Sequence, residues 1–149
     1  MSDIELITTE AQSAVAIRER VNVIEIPLAM GRLFGELATL AGEVEMVGPP
    51  FAYYHTWSDQ EVDVECGFPI AGEFEARGRF KPFTLPAVRA VVATHVGPYD
   101  KLMETYTKME TWMKEHGHRP AGYMWEFYLN EPGKVPPEKL MTKLVWPVK

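Results

Sequence analysis

The sequence predicts an α+β fold made of two consecutive strand–helix–strand–strand halves, with a small-molecule cleft where they meet. Three observations carry this. Each half opens on a strand-like stretch, Ala14 to Val21 and Arg89 to Val96. Each has a Gly- and Pro-containing turn followed by an aromatic strand: Gly48-Pro49-Pro50 before Phe51 to Trp57, and Pro120-Ala121-Gly122 before Trp125 to Asn130. Each ends on a strand with proline just before its last apolar residue, Phe68-Pro69-Ile70 and Trp146-Pro147-Val148. Proline suits a strand end, where no ladder donor is needed.

The halves run from about Gln12 to Ile70 and from about Pro86 to Val148, joined by a linker over 71–85 in one domain spanning 1–149. One half alone is marginal for an independent core, whereas two packed through a shared sheet bury far more. The expected fold is pseudo-two-fold, with strands outnumbering helices. A concavity between the halves is a common place for a ligand pocket.

In the opening strands, alternation puts Val15, Ile17 and Val21 on one face, and Ala90, Val92 and Val96 on the matching face. In the first half, Leu33, Phe34, Leu37, Leu40 and Ala41 then recur at helical spacing, with Pro27 ahead and Gly42 as a stop. In the second, Tyr99, Leu102, Met103, Tyr106, Met109, Met113 and His116 form one stripe. Pro98 suits the start of that helix, Asp100 and Glu104 favour its early turns, and Gly117 can take the left-handed cap. The joining segment alternates Phe74, Ala76, Gly78 and Phe80, which permits another strand, and Ile4 to Thr8 permits a short one.

Composition narrows the function classes. The 149 residues are 46% hydrophobic and 24% charged, which fits a folded globule. With 15 basic and 21 acidic side chains the net charge is -6, so duplex nucleic acid is a poor direct partner. No apolar run approaches the roughly 20 residues of a membrane helix. The start Met1-Ser2-Asp3-Ile4-Glu5 does not read as a signal peptide, and a soluble cytoplasmic protein is expected. The single cysteine, Cys66, permits no internal disulfide and reads as a small core residue. His55, His95, His116 and His118 have no metal-binding spacing, and neither a metal nor a cofactor is expected.

The chain is rich in aromatics: 4 Trp, 6 Tyr and 7 Phe, beside 8 Met. Phe34, Tyr106 and Phe127 are assigned to the helix–sheet core. In the second aromatic strand, alternation separates Glu126 and Tyr128 from Trp125, Phe127 and Leu129. The bulky apolar set suits the helices, so Glu126 is expected to face away from them, towards the cleft. A carboxylate flanked by Trp and Phe is costly to bury unless something pairs with it. That partner is either internal (Arg18, Arg89 or Lys143) or a cationic ligand. By register, Ala52 corresponds to Glu126 and Tyr54 to Tyr128. Tyr53, Tyr54, Trp57, Tyr128 and Trp146 are proposed to wall a pocket around Glu126. Such a pocket suits flat or cationic organic molecules. Asp63 and Glu65, alternating with Val62, Val64 and Cys66, read as a solvated sheet face.

The stretches His95-Val96-Gly97-Pro98-Tyr99-Asp100, Trp125 to Pro132 and Lys139 to Val148 resemble the GyrI-like small-molecule-binding domain, the effector-binding domain of bacterial transcription activators. Gly48 to Ala52 and Val62 to Ile70 fit it as well. The resemblance implies tandem βαββ units in an antiparallel sheet and an aromatic pocket with a central glutamate for cationic, lipophilic drugs; Glu126 is the matching position. Regulator members add a DNA-binding region. Here the two halves use up the chain, which resembles the stand-alone form. Some stand-alone relatives are similar to hydrolases that open cyclopropane rings of DNA-alkylating natural products, for which Glu126 with Tyr54 or Tyr128 could supply the groups. Modulation of a partner protein and haem binding are further roles on this fold.

Overall fold

The computed structural model describes residues 4–149, which form eight strands and two main helices. In chain order these are β1 (Glu5–Thr8), β2 (Gln12–Asn22), α1 (Ile26–Ala38), β3 (Phe51–Trp57), β4 (Glu61–Pro69), β5 (Lys81–Leu85), β6 (Arg89–Val96), α2 (Leu102–Glu115), β7 (Met124–Tyr128) and β8 (Met141–Pro147). Two compact units divide them. One is Glu10–Ala87; the other joins the residues up to Thr9 to Val88–Lys149. No helix among the described residues is long and apolar enough to cross a membrane.

In the Glu10–Ala87 unit the strands lie in the order β3-β4-β2-β5, and the pairs β2–β4, β2–β5 and β3–β4 are antiparallel. The chain leaves β2 through a 3-10 turn, Val23–Glu25, where the Asn22 side chain accepts from the Ile24 N–H at 2.9 Å. α1 then begins earlier than the apolar stripe suggested. Pro27 lies inside its first turn, where a missing N–H costs nothing. Ala29, Leu33 and Leu37 are its buried residues. Cys66 is fully buried and approaches Met30 of α1 at 3.5 Å, so α1 covers the face carrying Val62, Val64 and Cys66.

The opposite face departs from expectation. Asp63 and Glu65 are buried, not solvated. Arg18 grips Asp63 with two hydrogen bonds of 3.0 and 2.8 Å and holds its carboxyl below the usual range. A register shift between Tyr54 and Thr56 makes His55 an extra residue in β3. His55 meets Glu65 at 2.8 Å. The partners sit on strands that the acidic/apolar alternation of β4 does not report. The joining segment also differs: its strand is β5, beginning at Lys81, while Arg77 and Phe80 close a turn before it. β5 tolerates Pro82 because it stands at the end of the strand order.

The other unit has the order β1-β6-β8-β7, again with antiparallel pairs. A 3-10 turn, Tyr99–Lys101, with Pro98 as its cap residue, leads into α2. α2 buries Met109 and Met113 and ends in a Schellman arrangement, in which the His118 N–H donates to the Met113 carbonyl at 2.8 Å. His95 bonds Thr105 of α2, so the helix side of β6 is the face of Val91, Ala93 and His95. The expected face of Ala90, Val92 and Val96 is the opposite one, and Val96 is 60% exposed. Ala90 to Ala93 are all buried, so this run has no exposed side from which to read an orientation.

Gly67 in β4 is required by close approach. A Cβ there would stand 2.1 Å from the Val15 carbonyl oxygen of β2. Gly67→Ala is expected to lower unfolding free energy by about 3 kcal/mol. Chemical denaturation checks this, and a wild-type midpoint would contradict the close β2–β4 approach.

Candidate functional site

β7 pairs with β8 so that Glu126 stands opposite Leu144 and Tyr128 opposite Thr142. In β6 the same register places Ala93 beside Leu144 and His95 beside Thr142. One face of this unit therefore carries Glu126, Tyr128, Leu144, Thr142, Trp146, Ala93 and His95. α2 lies over that face, because Tyr106 donates its hydroxyl hydrogen to Glu126 Oε2. This corrects the expected orientation: Glu126 faces the helix of its own unit, and Trp125 lies on the opposite face. Trp125 is buried there nonetheless, so side-chain bulk did not tell which face meets the helix.

Glu126 is 5% exposed. Tyr106 serves one carboxyl oxygen, and Tyr128 donates to the other at 2.8 Å. No arginine or lysine pairs with it among the described residues. Of the internal partners considered, Arg18 is engaged with Asp63, and Lys143, opposite Phe127, lies on the other face. Burial pushes the Glu126 carboxyl above its ordinary pKa, while the hydrogen bonds from Tyr106 and Tyr128 and the nearby His95 pull the other way.

Two further rings complete the surroundings. Tyr99 meets Tyr128 edge to face, with centroids 5.9 Å apart. Its hydroxyl pKa is raised by burial and by the charge of Glu126. Trp146 meets Tyr106 edge to face at 5.7 Å. His95, buried on β6, anchors this group. Its Nε2 lies 3.1 Å from the Pro98 carbonyl, which can only accept, so that nitrogen carries hydrogen. In the neutral ring Nδ1 then accepts from the Thr105 hydroxyl at 2.6 Å. His95 thus ties β6 to the residues just before Tyr99 and Tyr106.

Of the residues selected from sequence, Glu126, Tyr128 and Trp146 lie on this face. Tyr53, Tyr54 and Trp57 belong to β3 of the other unit. There Tyr53 is buried against Phe83, with centroids 5.0 Å apart, Tyr54 is half-buried and Trp57 is exposed. Tyr106, assigned to the core, is half-buried and hydrogen-bonds the carboxylate. Tyr99, His95 and Thr142 were not selected at all. A signal existed for the tyrosines: Tyr99 and Tyr106 fall seven apart in a methionine-rich stripe, hence on one helical side. His95 opens the stretch that resembles the family, but pattern and spacing gave no signal for it, since its partners are a backbone carbonyl and a threonine on the next helix.

A buried carboxyl paired with no arginine or lysine among the described residues, and surrounded by aromatics, can bind a cationic or hydrogen-bonding organic group, or transfer a proton to one. Among the described residues no set of three His, Cys, Asp or Glu side chains could hold a metal ion. The sequence profile of the GyrI-like small molecule binding domain matches residues 2–149.

The chain belongs to the GyrI-like family.

Solved structures share the GyrI-like fold at low identity. The chain superposes on the EcmrR C-terminal domain with TM-score 0.83 at 19% identity, covering 98% of this chain and 96% of that one. Against EcmrR in its DNA complex the TM-score is 0.81 at 20% identity; 98% of this chain is covered, but only 57% of EcmrR. A hydrolase encoded by lin2189 from Listeria innocua gives TM-score 0.70 at 17% identity, covering 99% and 92% of the two chains. SAV2435 bound to tetraphenylphosphonium gives 0.73 at 15%, covering 99% and 94%. No curated protein matches the chain.

The raised Glu126 pKa has a stability consequence. The folded GyrI-like domain holds this proton more tightly than the unfolded chain does. The stabilisation is complete below the ordinary carboxylate pKa and is lost as pH rises through the raised value. Glu126→Gln removes the titration. The variant is therefore expected to gain stability relative to wild type as pH rises from about 4 to 8. Urea melts across that range check it, and a relative loss with rising pH would contradict it.

Proposed function

We propose that this protein is a receptor for hydrophobic, often cationic, aromatic small molecules. In this reading Glu126 neutralises the ligand's positive group, and Tyr99, Tyr106, Tyr128 and Trp146 supply ring faces and edges. The observation that carries it is the buried Glu126 carboxyl, held by two tyrosine hydroxyls and paired with no arginine or lysine among the described residues. Leaving such a group uncompensated costs stability, and an incoming cation offsets that cost while gaining cation–π attraction of about 0.5–2 kcal/mol per ring. The membership in a small-molecule-binding family supports the reading, as does the tetraphenylphosphonium bound by SAV2435.

The test compares Glu126→Gln with wild type for a cationic dye and a neutral dye of similar size. The variant is expected to bind the cationic dye about tenfold or more weakly and the neutral dye nearly unchanged. Equal losses for both, or none, would remove the role assigned to Glu126.

A hydrolytic reading has one observation in its favour. A carboxyl with a raised pKa beside tyrosine hydroxyls is suited to donate a proton to a leaving group. Incubation with a cyclopropane-bearing alkylator decides between the readings: a water-added, ring-opened product supports the hydrolase, and binding without product supports the receptor.

A further inference from the structure

The Glu126 face holds two buried polar atoms with no hydrogen-bond partner among the described residues: Thr142 Oγ1 and Trp146 Nε1. Thr142 is fully buried and Trp146 is 7% exposed. Both belong to β8, two residues to either side of Leu144, which is the register partner of Glu126. Each therefore lies about 6–7 Å along the strand from that position, on the same side of the sheet.

Their neighbours are already engaged. Thr142 stands between His95 and Tyr128 in register. Both His95 ring nitrogens are occupied by Thr105 and Pro98, and the Tyr128 hydroxyl donates to Glu126. Trp146 meets Tyr106 edge to face, and its indole N–H has no oxygen or nitrogen acceptor among the described residues. Buried polar groups without partners are uncommon and destabilising. Valine would fill the Thr142 position with the same shape and no such cost.

Resting on the reading of this face as a ligand site, we infer that its ligand carries hydrogen-bond-accepting oxygens besides the group that meets Glu126. Thr142 Oγ1–H and Trp146 Nε1–H, flanking the carboxyl along β8, are the donors that receive them. The class is an aromatic cation bearing carbonyl, ester or ether oxygens, and a purely hydrocarbon cation leaves both donors unanswered. Selectivity for oxygenated ligands follows from the penalty of leaving those donors unpaired in the complex.

Calorimetric titration of wild type, Thr142→Val and Trp146→Phe with two probes tests this. Rhodamine 6G is a cation with ester and ether oxygens; tetraphenylphosphonium is a cation with none. Thr142→Val is expected to weaken rhodamine 6G about five- to tenfold and to leave tetraphenylphosphonium within about twofold. Trp146→Phe is expected to act in the same direction. The ligand-free Thr142→Val protein is expected to melt at or above the wild-type temperature, because an unpaired buried hydroxyl has been removed. Equal losses for both probes, or no loss for rhodamine 6G, would overturn the inference. A lower melting temperature of ligand-free Thr142→Val would overturn it too, since the hydroxyl would then have a partner in the free protein. If wild type binds neither probe, the receptor reading fails and this inference fails with it.

Discussion

The constraint on which the site depends is the burial of a carboxyl group with no arginine or lysine among the described residues to pair with it. Four carboxyl or imidazole side chains are buried among the described residues: Asp63, Glu65, His95 and Glu126. Three are settled internally. Asp63 is forked by Arg18, Glu65 meets His55, and His95 has both ring nitrogens engaged, by Thr105 and Pro98. Glu126 alone relies on tyrosine hydroxyls. Such hydrogen bonds favour the charged form but do not remove the cost of desolvating it, so the balance stays on the side of the proton.

The surrounding structure keeps that arrangement from relaxing. Glu126 is fixed on β7 by the ladder to β8, and its two donors come from different elements, α2 and β7 itself. α2 is located by Met109 and Met113 packed beneath it and by the His95 link to Thr105. A carboxyl on a mobile loop would turn to water; one clasped between a strand and a helix cannot. The stability given up here is available as binding free energy when a group of suitable charge arrives. The unpaired Thr142 hydroxyl and Trp146 indole on the same face fit that account, because each has a hydrogen bond to gain from a ligand.

Much of this was legible in the sequence. β3 has the expected bounds, and Pro69 and Pro147 close β4 and β8 as their positions suggested. Period-two alternation isolated Glu126 and Tyr128 from Trp125 and Phe127. What it could not supply was which face meets the helix. Ala90 to Ala93 of β6 are buried on both sides, and Trp125 is as buried as the residues under α2, so apolar character does not orient the sheet. The acids of β4 were misread for a related reason. Their partners are Arg18, 45 residues away, and His55 at a bulge, and neither distance in sequence nor residue pattern announces them. Tyr106 shows the same limit at the scale of one atom: the helical stripe gives the direction of its ring, while only the fold says that its hydroxyl ends on a carboxylate.

The most direct measurement of the central claim is the titration of the Glu126 side-chain carboxyl by carbon-13 NMR, in the free protein and with tetraphenylphosphonium present. The account predicts a free-protein pKa above the ordinary glutamate range and a clear fall on adding the cation. A carboxyl that titrates in the ordinary range, or one whose titration the bound cation leaves unmoved, would contradict it.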